Sequence, residues 1–336
     1  MRTRTPVTRL VRVLCAGQMI APSAPTRTLA RALRPHGIRV LVRAGTAPQL
    51  STGAFIRRAL VADALLCVAY DGPSAPLIRR LALTAALGRP VLRWWVGTDV
   101  LNVLRDPVVR ARAQQLDRFV TLNLAVAPHL ADELASVGIR ARVVPSVLAA
   151  WTSALRAETA PVGPVPRALL IYLPTARRAF YGEATISSAI DANPDIAFVV
   201  VGDTEHTLAG HPNVRSLGWV EDLRPVYAAV GGLLRLTEHD GLPRMVLESL
   251  LLGKYVIHAW PLPGCWQAQS FEELHAAIAA FRSARGPNSD GRHAALRLLD
   301  PDPAAVWADT LRNAHRTRLS WPRAAAFAAM CSSGIA

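Results

Sequence analysis

Short apolar runs alternate with helix-like segments along most of the chain. Val91 to Trp95 and Ile196 to Val201 have the length and apolar character of buried strands, and helical patterns lie between such runs. Strands that alternate with helices at this spacing predict parallel sheets with helices on both faces. The alternation stops between Ala149 and Pro166, where Thr, Ala, Gly and Pro accumulate as in a linker. The sequence therefore predicts an α/β protein with two Rossmann-like domains, which a length of 336 residues also favours.

The same pattern sets the expected element boundaries. In the first half, we predict strands at 11–16, 38–42, 64–69, 91–95, 118–122 and 141–147 and helices at 26–33, 76–87 and 127–137. In the second half, we predict strands at 168–173, 196–201, 214–217, 230–236 and 255–259, the last closing the sheet, and helices at 182–192, 223–229 and 271–281. A loop is expected at 287–291 and a mainly helical segment at 303–330.

The charge of the chain limits its classes of partner. The formal net charge is +14, and Lys254 is the only lysine, so nearly all of the positive charge comes from arginine. Such a field attracts phosphates and anionic surfaces, which fits a nucleotide-sugar donor, an anionic lipid surface or a nucleic acid. The arginines are spread along the chain and no nucleic-acid-binding motif is present, so nucleic acid is the least favoured partner.

The sequence also bears on the compartment. No apolar run reaches the roughly 18 residues that a membrane-spanning helix needs. The start of the chain imitates a signal peptide, but Arg12 interrupts a short apolar stretch that a first buried strand explains better. Cysteines are far apart, with no CxxC pair, so neither a disulfide framework nor a zinc site is predicted. We expect a cytoplasmic protein, with peripheral contact at the inner face of the membrane as an option.

The segment from Val230 to His258 carries the strongest functional signal. A mostly apolar run leads into a polar turn, Thr237 to Gly241, and Pro243 is expected at the first position of the helix that follows. Asp240 is then on the turn and Glu248 inside the helix. The start of such a helix offers free backbone N–H groups and a partial positive charge, which suit phosphate. Two carboxylates beside it are suited to the hydroxyls of a sugar nucleotide.

This acid-x7-acid pattern, followed by Gly253 and the strand Tyr255-Val-Ile-His258, resembles the donor-site signature of family-4 retaining glycosyltransferases. That family usually has Glu where this chain has Asp240. The resemblance implies the GT-B fold, in which two Rossmann-like domains with parallel sheets face each other across a cleft. Further similarities are Ala127 to Ile139, Pro212-Asn-Val-Arg-Ser-Leu-Gly-Trp-Val, and Leu319-Ser-Trp-Pro, which is similar to the start of a last helix that returns to the first domain.

The resemblance implies a domain division and a set of donor-site residues. It places an acceptor domain at 1–150, a linker at 151–166, a donor domain at 167–318 and the returning helix at 319–336. Glu248 would bind the ribose hydroxyls and Asp240 those of the transferred sugar. The backbone of Gly241, Leu242 and Pro243 would lie close to the sugar and diphosphate. The alternative for Glu248 is an exposed helix acid that pairs with Arg244.

The resemblance also implies positions that contact the diphosphate and the base. The family has a Lys where this chain has Tyr181, so Arg177 or Arg178 is expected to neutralise the diphosphate, or else both are solvated loop arginines; Arg235 is a third candidate. Gly218 and Trp219 would meet the base, or Trp219 is plain packing. These alternatives stay open at the level of sequence.

On the acceptor side, Trp94-Trp-Val-Gly-Thr-Asp99 resembles a turn that faces the donor, so Asp99 would contact the acceptor or assist proton removal. Its alternative role is that of a helix N-cap. Gly17 would line the loop after the first strand, and His239 is a candidate substrate contact that is otherwise structural. Asp300-Pro-Asp302 resembles a metal-binding motif, but capping explains it better, and no metal or other cofactor is predicted.

The function implied is transfer of a sugar from a nucleotide-diphosphate sugar to a glycan, lipid-linked or small-molecule acceptor, with retention of anomeric configuration. Two alternatives remain. One is a catalytically weak or inactive scaffold subunit of a glycan-assembly complex, and the other is a sugar-nucleotide epimerase of the same fold.

Overall fold

A computed structural model describes residues 11–17, 25–41, 52–68, 75–158 and 162–314, with the isolated residues 325 and 329. By its internal contacts the chain divides into two compact units, one formed by Met1–Ala150 with Pro301–Ala336 and the other by Trp151–Asp300. In these described ranges no helix has both the length and the apolar character needed to cross a bilayer.

The first unit is built on a parallel sheet. Its described strands are β1 (Val11–Gly17), β2 (Ile38–Leu41), β3 (Ala64–Val68), β4 (Val91–Trp95), β5 (Leu122–Ala125) and β6 (Ala141–Val143), in the order β2-β1-β3-β4-β5-β6. Its helices are α1 (Pro25–Ala32), α2 (Thr52–Val61), α3 (Ala75–Ala86), α4 (Thr98–Arg105), α5 (Pro107–Asp117), α6 (Pro128–Ser136) and, across the unit boundary, α7 (Ala150–Ala154). Every residue of β3 and β4 is buried, as expected for parallel strands covered on both faces.

The second unit repeats this architecture. Its described strands are β7 (Ala168–Tyr172), β8 (Ala197–Val201), β9 (Val214–Ser216), β10 (Gly232–Arg235), β11 (Tyr255–His258) and β12 (Trp266–Gln267), in the order β12-β11-β10-β7-β8-β9. Its helices are α8 (Glu183–Ala192), α9 (Arg224–Ala229), α10 (Arg244–Leu251), α11 (Phe271–Ser283) and α12 (Ser289–Leu298). The chain runs from β7 to one side of the sheet and returns at β10 on the other side. The two strands therefore flank a topological switch point, where open α/β sheets bind ligands.

The two predicted parallel sheets are confirmed, while several boundaries differ. The strand expected at 118–122 begins only at Leu122, because two unpredicted helices, α4 and α5, precede it. Asp106 separates these helices and caps the second by accepting hydrogen bonds from the N–H groups of Val108 and Val109. The expected linker contains α7, and β12 rather than β11 is the edge strand.

The segments after β12 also differ from expectation. The loop expected at 287–291 contains the start of α12, which Asn288 caps by accepting a hydrogen bond from the N–H of Gly291. The last helix of the continuously described residues, α13 (Pro303–Asn313), belongs to the first unit. The Trp307 indole explains this placement, because it donates to the carbonyl of Pro145 at 3.0 Å and packs edge-on against Trp94. The returning helix expected at 319–336 lies outside the continuously described residues.

Candidate functional site

The turn after β10 presents Asp240 beside Arg235. One carboxylate oxygen of Asp240 accepts hydrogen bonds from Nε of Arg235 at 2.7 Å and from the hydroxyl of Thr237 at 3.2 Å, and it forms an ion pair with Nη2 of Arg235 at 2.7 Å. The other oxygen accepts from the N–H of Gly241 at 3.0 Å. Burial is the largest single influence on the pKa of Asp240 and raises it, but the charges of Arg235 and His258 and the hydrogen bonds from Arg235 and Gly241 together leave the pKa below its usual value. Asp240 is therefore an ionised carboxylate with a fixed orientation.

Arg235 brings the site a cation that is itself held by aromatic rings. Its guanidinium lies 5.3 Å from the ring centroid of Tyr181 and 5.8 Å from that of Tyr172, and these two rings pack edge-to-face. Tyr181 takes the position where the resembled family has a Lys. A positive charge is nevertheless present next to Tyr181, because Arg235 at the end of β10 supplies it.

Glu248 points into the interior from α10. The residue is 5% exposed, and its two oxygens accept hydrogen bonds from the hydroxyls of Thr152 at 2.9 Å and Tyr227 at 2.8 Å. Burial raises the pKa of Glu248, and the two hydroxyl donors oppose that rise only in part. This burial rules out the alternative of an exposed helix acid that is merely paired with Arg244.

Sequence reasoning did not identify Thr152 and Tyr227. Thr152 belongs to α7, within the predicted linker, and it is fully buried. Tyr227 belongs to α9 and packs against Trp151 with ring centroids 6.1 Å apart. The linker composition of the segment around Thr152 concealed its role, and a single Tyr in a short helix gives no signal of its own.

The residues between the two acids form a compact turn. Pro243 is the N-cap of α10 rather than its first helical residue, and its carbonyl accepts from the N–H groups of Val246 and Leu247. Gly241 is buried and Leu242 is 8% exposed. His239 is 2% exposed and packs edge-on against Trp260 with ring centroids 5.0 Å apart. The structure thus packs the imidazole of His239 into the interior, which favours its structural role.

The two predicted diphosphate-binding arginines lie next to each other in the loop after β7 but have different surroundings. Arg178 forms ion pairs with Glu183 at 3.4 Å, Asp203 at 3.3 Å and Glu205 at 2.6 Å. Three carboxylates already surround this guanidinium, so it carries no excess positive charge for a phosphate. Arg177 is exposed and stacks over the ring of Phe180 at 4.0 Å. Of the two, Arg177 is the one whose charge faces solvent.

Gly218 and Trp219 follow β9, at the carboxyl edge of the sheet where the loop after β7 also lies. Gly218 has φ of +63°, and its carbonyl accepts from the N–H of Gly202 at 2.7 Å, which ties the two loops together. Trp219 is 69% exposed, so its indole is not part of the core. This exposure argues against the packing alternative for Trp219 and leaves the ring available to a flat ligand.

In the first unit, Asp99 has no exposed surface. One oxygen accepts from Arg93 at 3.2 Å, and the other accepts from the backbone N–H groups of Val96, Gly97 and Val100. Burial raises the pKa of Asp99, and the charge of Arg93 opposes the rise. The N-cap of α4 is Gly97, so Asp99 braces the preceding turn rather than capping the helix in the predicted way. A direct contact with an acceptor would require this carboxylate to leave its buried partners.

Gly17 ends β1 and pairs with Val68 of β3, as expected for a residue at the carboxyl edge of the sheet. In the described part of the chain, no group of three or more His, Cys, Asp or Glu side chains has an arrangement that could hold a metal ion. Asp302 caps α13 by accepting from the N–H of Ala305, which is the role expected for the Asp300-Pro-Asp302 sequence.

Comparison with known proteins places this geometry in a fold. No family model matches the sequence, and no curated protein matches it closely enough to be a relative. Among solved structures, HepE of Anabaena in complex with UDP covers 96% of this chain and 100% of its own, with 13% identity and a TM-score of 0.58. Sucrose-phosphate synthase of Thermosynechococcus elongatus covers 90% and 98%, with 14% identity and a TM-score of 0.61. A glycosyltransferase of Rickettsia africae covers 91% and 99%, with 11% identity and a TM-score of 0.64. The chain has the GT-B fold, formed from two Rossmann-like domains.

Proposed function

We propose that this protein is a glycosyltransferase that moves a sugar from a nucleotide-diphosphate sugar to a glycan, lipid-linked or small-molecule acceptor with retention of anomeric configuration. One observation carries the proposal: Glu248 and Asp240 are oriented carboxylates on a single strand–turn–helix unit at the switch point of a parallel sheet. HepE, which has a similar fold, has one structure in complex with UDP and another in complex with UDP-glucose, which supports a uridine nucleotide as the first donor to test.

The residues suit a division of labour. An ionised carboxylate accepts up to about four hydrogen bonds, so Glu248 can accept two ribose hydroxyls besides those of Tyr227 and Thr152. Asp240 accepts hydroxyls of the transferred sugar, while Arg177, whose charge faces solvent, offsets the negative charge that grows on the diphosphate. Electrostatic stabilisation of this kind is usually the largest single contribution to catalysis.

In the proposed reaction, the anomeric C–O bond to the diphosphate breaks and the diphosphate leaves with the bonding electrons. The acceptor hydroxyl attacks the same face of the sugar, and its proton passes to the departing phosphate oxygen. No metal ion is part of this proposal.

A thermal-shift panel of UDP, GDP, ADP, TDP and CDP tests the donor site. A nucleotide at about 100 times its dissociation constant stabilises the folded state by about 2.7 kcal/mol, which is several degrees for units of this size. We expect one nucleotide to raise the melting temperature of the wild type and to have a much smaller effect on Glu248→Gln. A folded wild type that responds to none of the five would contradict the proposal.

The non-catalytic alternative is favoured by one observation, the neutralisation of Arg178 by three carboxylates. It predicts nucleotide binding without turnover of any donor–acceptor pair. An epimerase would instead convert the donor sugar in the absence of acceptor. Product analysis with the nucleotide sugar identified by the panel, with and without acceptors, separates the three functions.

A further inference from the structure

A groove of about 490 Å³ opens at the carboxyl ends of β10, β11 and β12 in the second unit. Its walls are the beginnings of α8 and α11 and the turn that leads from β10 towards Asp240. This volume falls within the roughly 300–1,000 Å³ that is typical of small-molecule sites. The groove begins beside Gly182, after β7, and half of its lining residues follow β11 or β12, so it extends away from the β7–β10 position assigned to the nucleotide.

The lining of the groove combines aromatic rings with hydroxyl, amide and carboxylate groups. Phe271, at the first position of α11, is 45% exposed, and Trp260 lies in the same wall. The polar lining includes Thr185, Ser188 and Gln269. Flat aromatic rings pack against the C–H faces of a sugar ring, and hydroxyl and amide groups exchange hydrogen bonds with its hydroxyls.

The side-chain charge of the lining disfavours anionic ligands. The chain has 38 Lys and Arg residues and a net charge of +14, yet none of the described residues that line this groove is Lys or Arg. Within the described part of the lining, the one residue with a charged side chain is Glu238, which is exposed. Phosphates, anionic lipid headgroups and acidic glycans therefore meet no cationic side chain in this lining. An uncharged ligand that is rich in hydroxyl groups fits the lining.

The groove is also connected to the donor site. Thr237 contributes to its wall, and the hydroxyl of Thr237 donates to Asp240 at 3.2 Å. A ligand in the groove thus lies against the back of the turn that carries the carboxylate of the donor site.

We propose that this groove is a second carbohydrate-binding site, which takes one or two neutral sugar residues of the glycan that the enzyme elongates. The identity of that glycan rests on the proposed function, whereas binding of neutral sugars to the groove does not. The site is expected to bind at the same time as the nucleotide, because the two occupy different positions along the sheet edge.

An array of neutral and acidic glycans, probed with the full-length wild-type protein, tests the proposal. We expect binding to neutral members, and the best of these is then titrated by calorimetry against Phe271→Ala and Gln269→Ala. Each variant is expected to weaken binding about tenfold or more, while Phe271→Tyr retains it because the ring is preserved. Leu60→Ala and Gln267→Ala are matched controls, since both residues are exposed and neither lines the groove.

Two further measurements separate the possible outcomes. Melting temperatures and nucleotide affinity are expected to stay unchanged in Phe271→Ala and Gln269→Ala, which shows that both variants fold. Glycan binding is expected to persist in saturating nucleotide sugar. Displacement of the glycan by the nucleotide sugar would make the groove part of the donor site and overturn the proposal. Preference for acidic glycans, or no glycan binding by wild type that still binds nucleotide, would also overturn it without affecting the proposed function.

Discussion

The hydroxyl of Tyr227 donates a hydrogen bond of 2.8 Å to Glu248, and this contact fixes the orientation of a carboxylate that is only 5% exposed. The burial of Glu248 also acts on its partner, because desolvation and the negative carboxylate raise the pKa of Tyr227 well above its usual value. Tyr227 therefore stays protonated at neutral pH and can donate this hydrogen bond.

Tyr227→Phe removes this donor and keeps the ring. Glu248 loses one of two compensating hydrogen bonds, so we expect a loss of about 1–2 kcal/mol in the free energy of unfolding together with weaker nucleotide binding. Tyr255→Phe is the control, because its hydroxyl donates to the carbonyl of Gly286 at 2.9 Å, on a different part of the unit. Chemical denaturation and calorimetry measure the two effects. Equal nucleotide affinities for the two variants would show that Tyr227 does not position Glu248 for a ligand.

The raised pKa of Glu248 predicts a specific pH dependence. An acid whose pKa is raised on folding stabilises the folded state most at low pH, and this contribution is lost as the pH rises through the folded-state pKa. Glu248→Gln cannot ionise. The free energy of unfolding of Glu248→Gln should therefore increase relative to that of the wild type as the pH rises from about 4.3, the unperturbed pKa of Glu, to 7. Denaturation curves across this range measure the difference, and a constant difference would contradict the pKa direction.

The pair formed by Arg235 and Asp240 predicts a large cost for breaking it. Asp240→Asn leaves a nearly buried guanidinium without its carboxylate, and loss of one partner of a buried pair costs about 3–5 kcal/mol. Asp222→Asn removes the carboxylate from an exposed pair with Arg224 and should change stability much less than Asp240→Asn does. Both are measured by chemical denaturation. Similar costs for the two variants would mean that Arg235 reaches solvent once its partner is lost.

Asp99→Asn distinguishes structural support from acceptor contact. Because Asp99 and Arg93 have no exposed side-chain surface, we expect the variant to lose about 3 kcal/mol or more of unfolding free energy. The remaining folded protein should keep the acceptor KM of the wild type, as measured by initial rates below the melting temperature. A raised acceptor KM with little change in stability would instead assign Asp99 to the acceptor site.

Much of the fold could be predicted because most of its strands are short, predominantly apolar runs. The strand predicted at 91–95 coincides with β4, and the strand–turn–helix unit around Asp240 has the expected order. The helices before β5 were missed because α5 is stabilised by a local cap at Asp106, which periodicity does not detect. The edge strand β12 was missed because it is only two residues long.

The sequence by itself determined the alternation of strands and helices and the spacing that places Asp240 and Glu248 on one unit, since both follow from local patterns of apolar and polar residues. Only the tertiary structure decided which charges face a ligand. Arg178 is surrounded by carboxylates, Asp99 is paired with Arg93, and Glu248 accepts hydrogen bonds from hydroxyls of two other helices. These partners are distant in sequence or have no distinctive spacing. Their effect depends on burial, which determines both the strength of an electrostatic contact and whether a ligand can reach it.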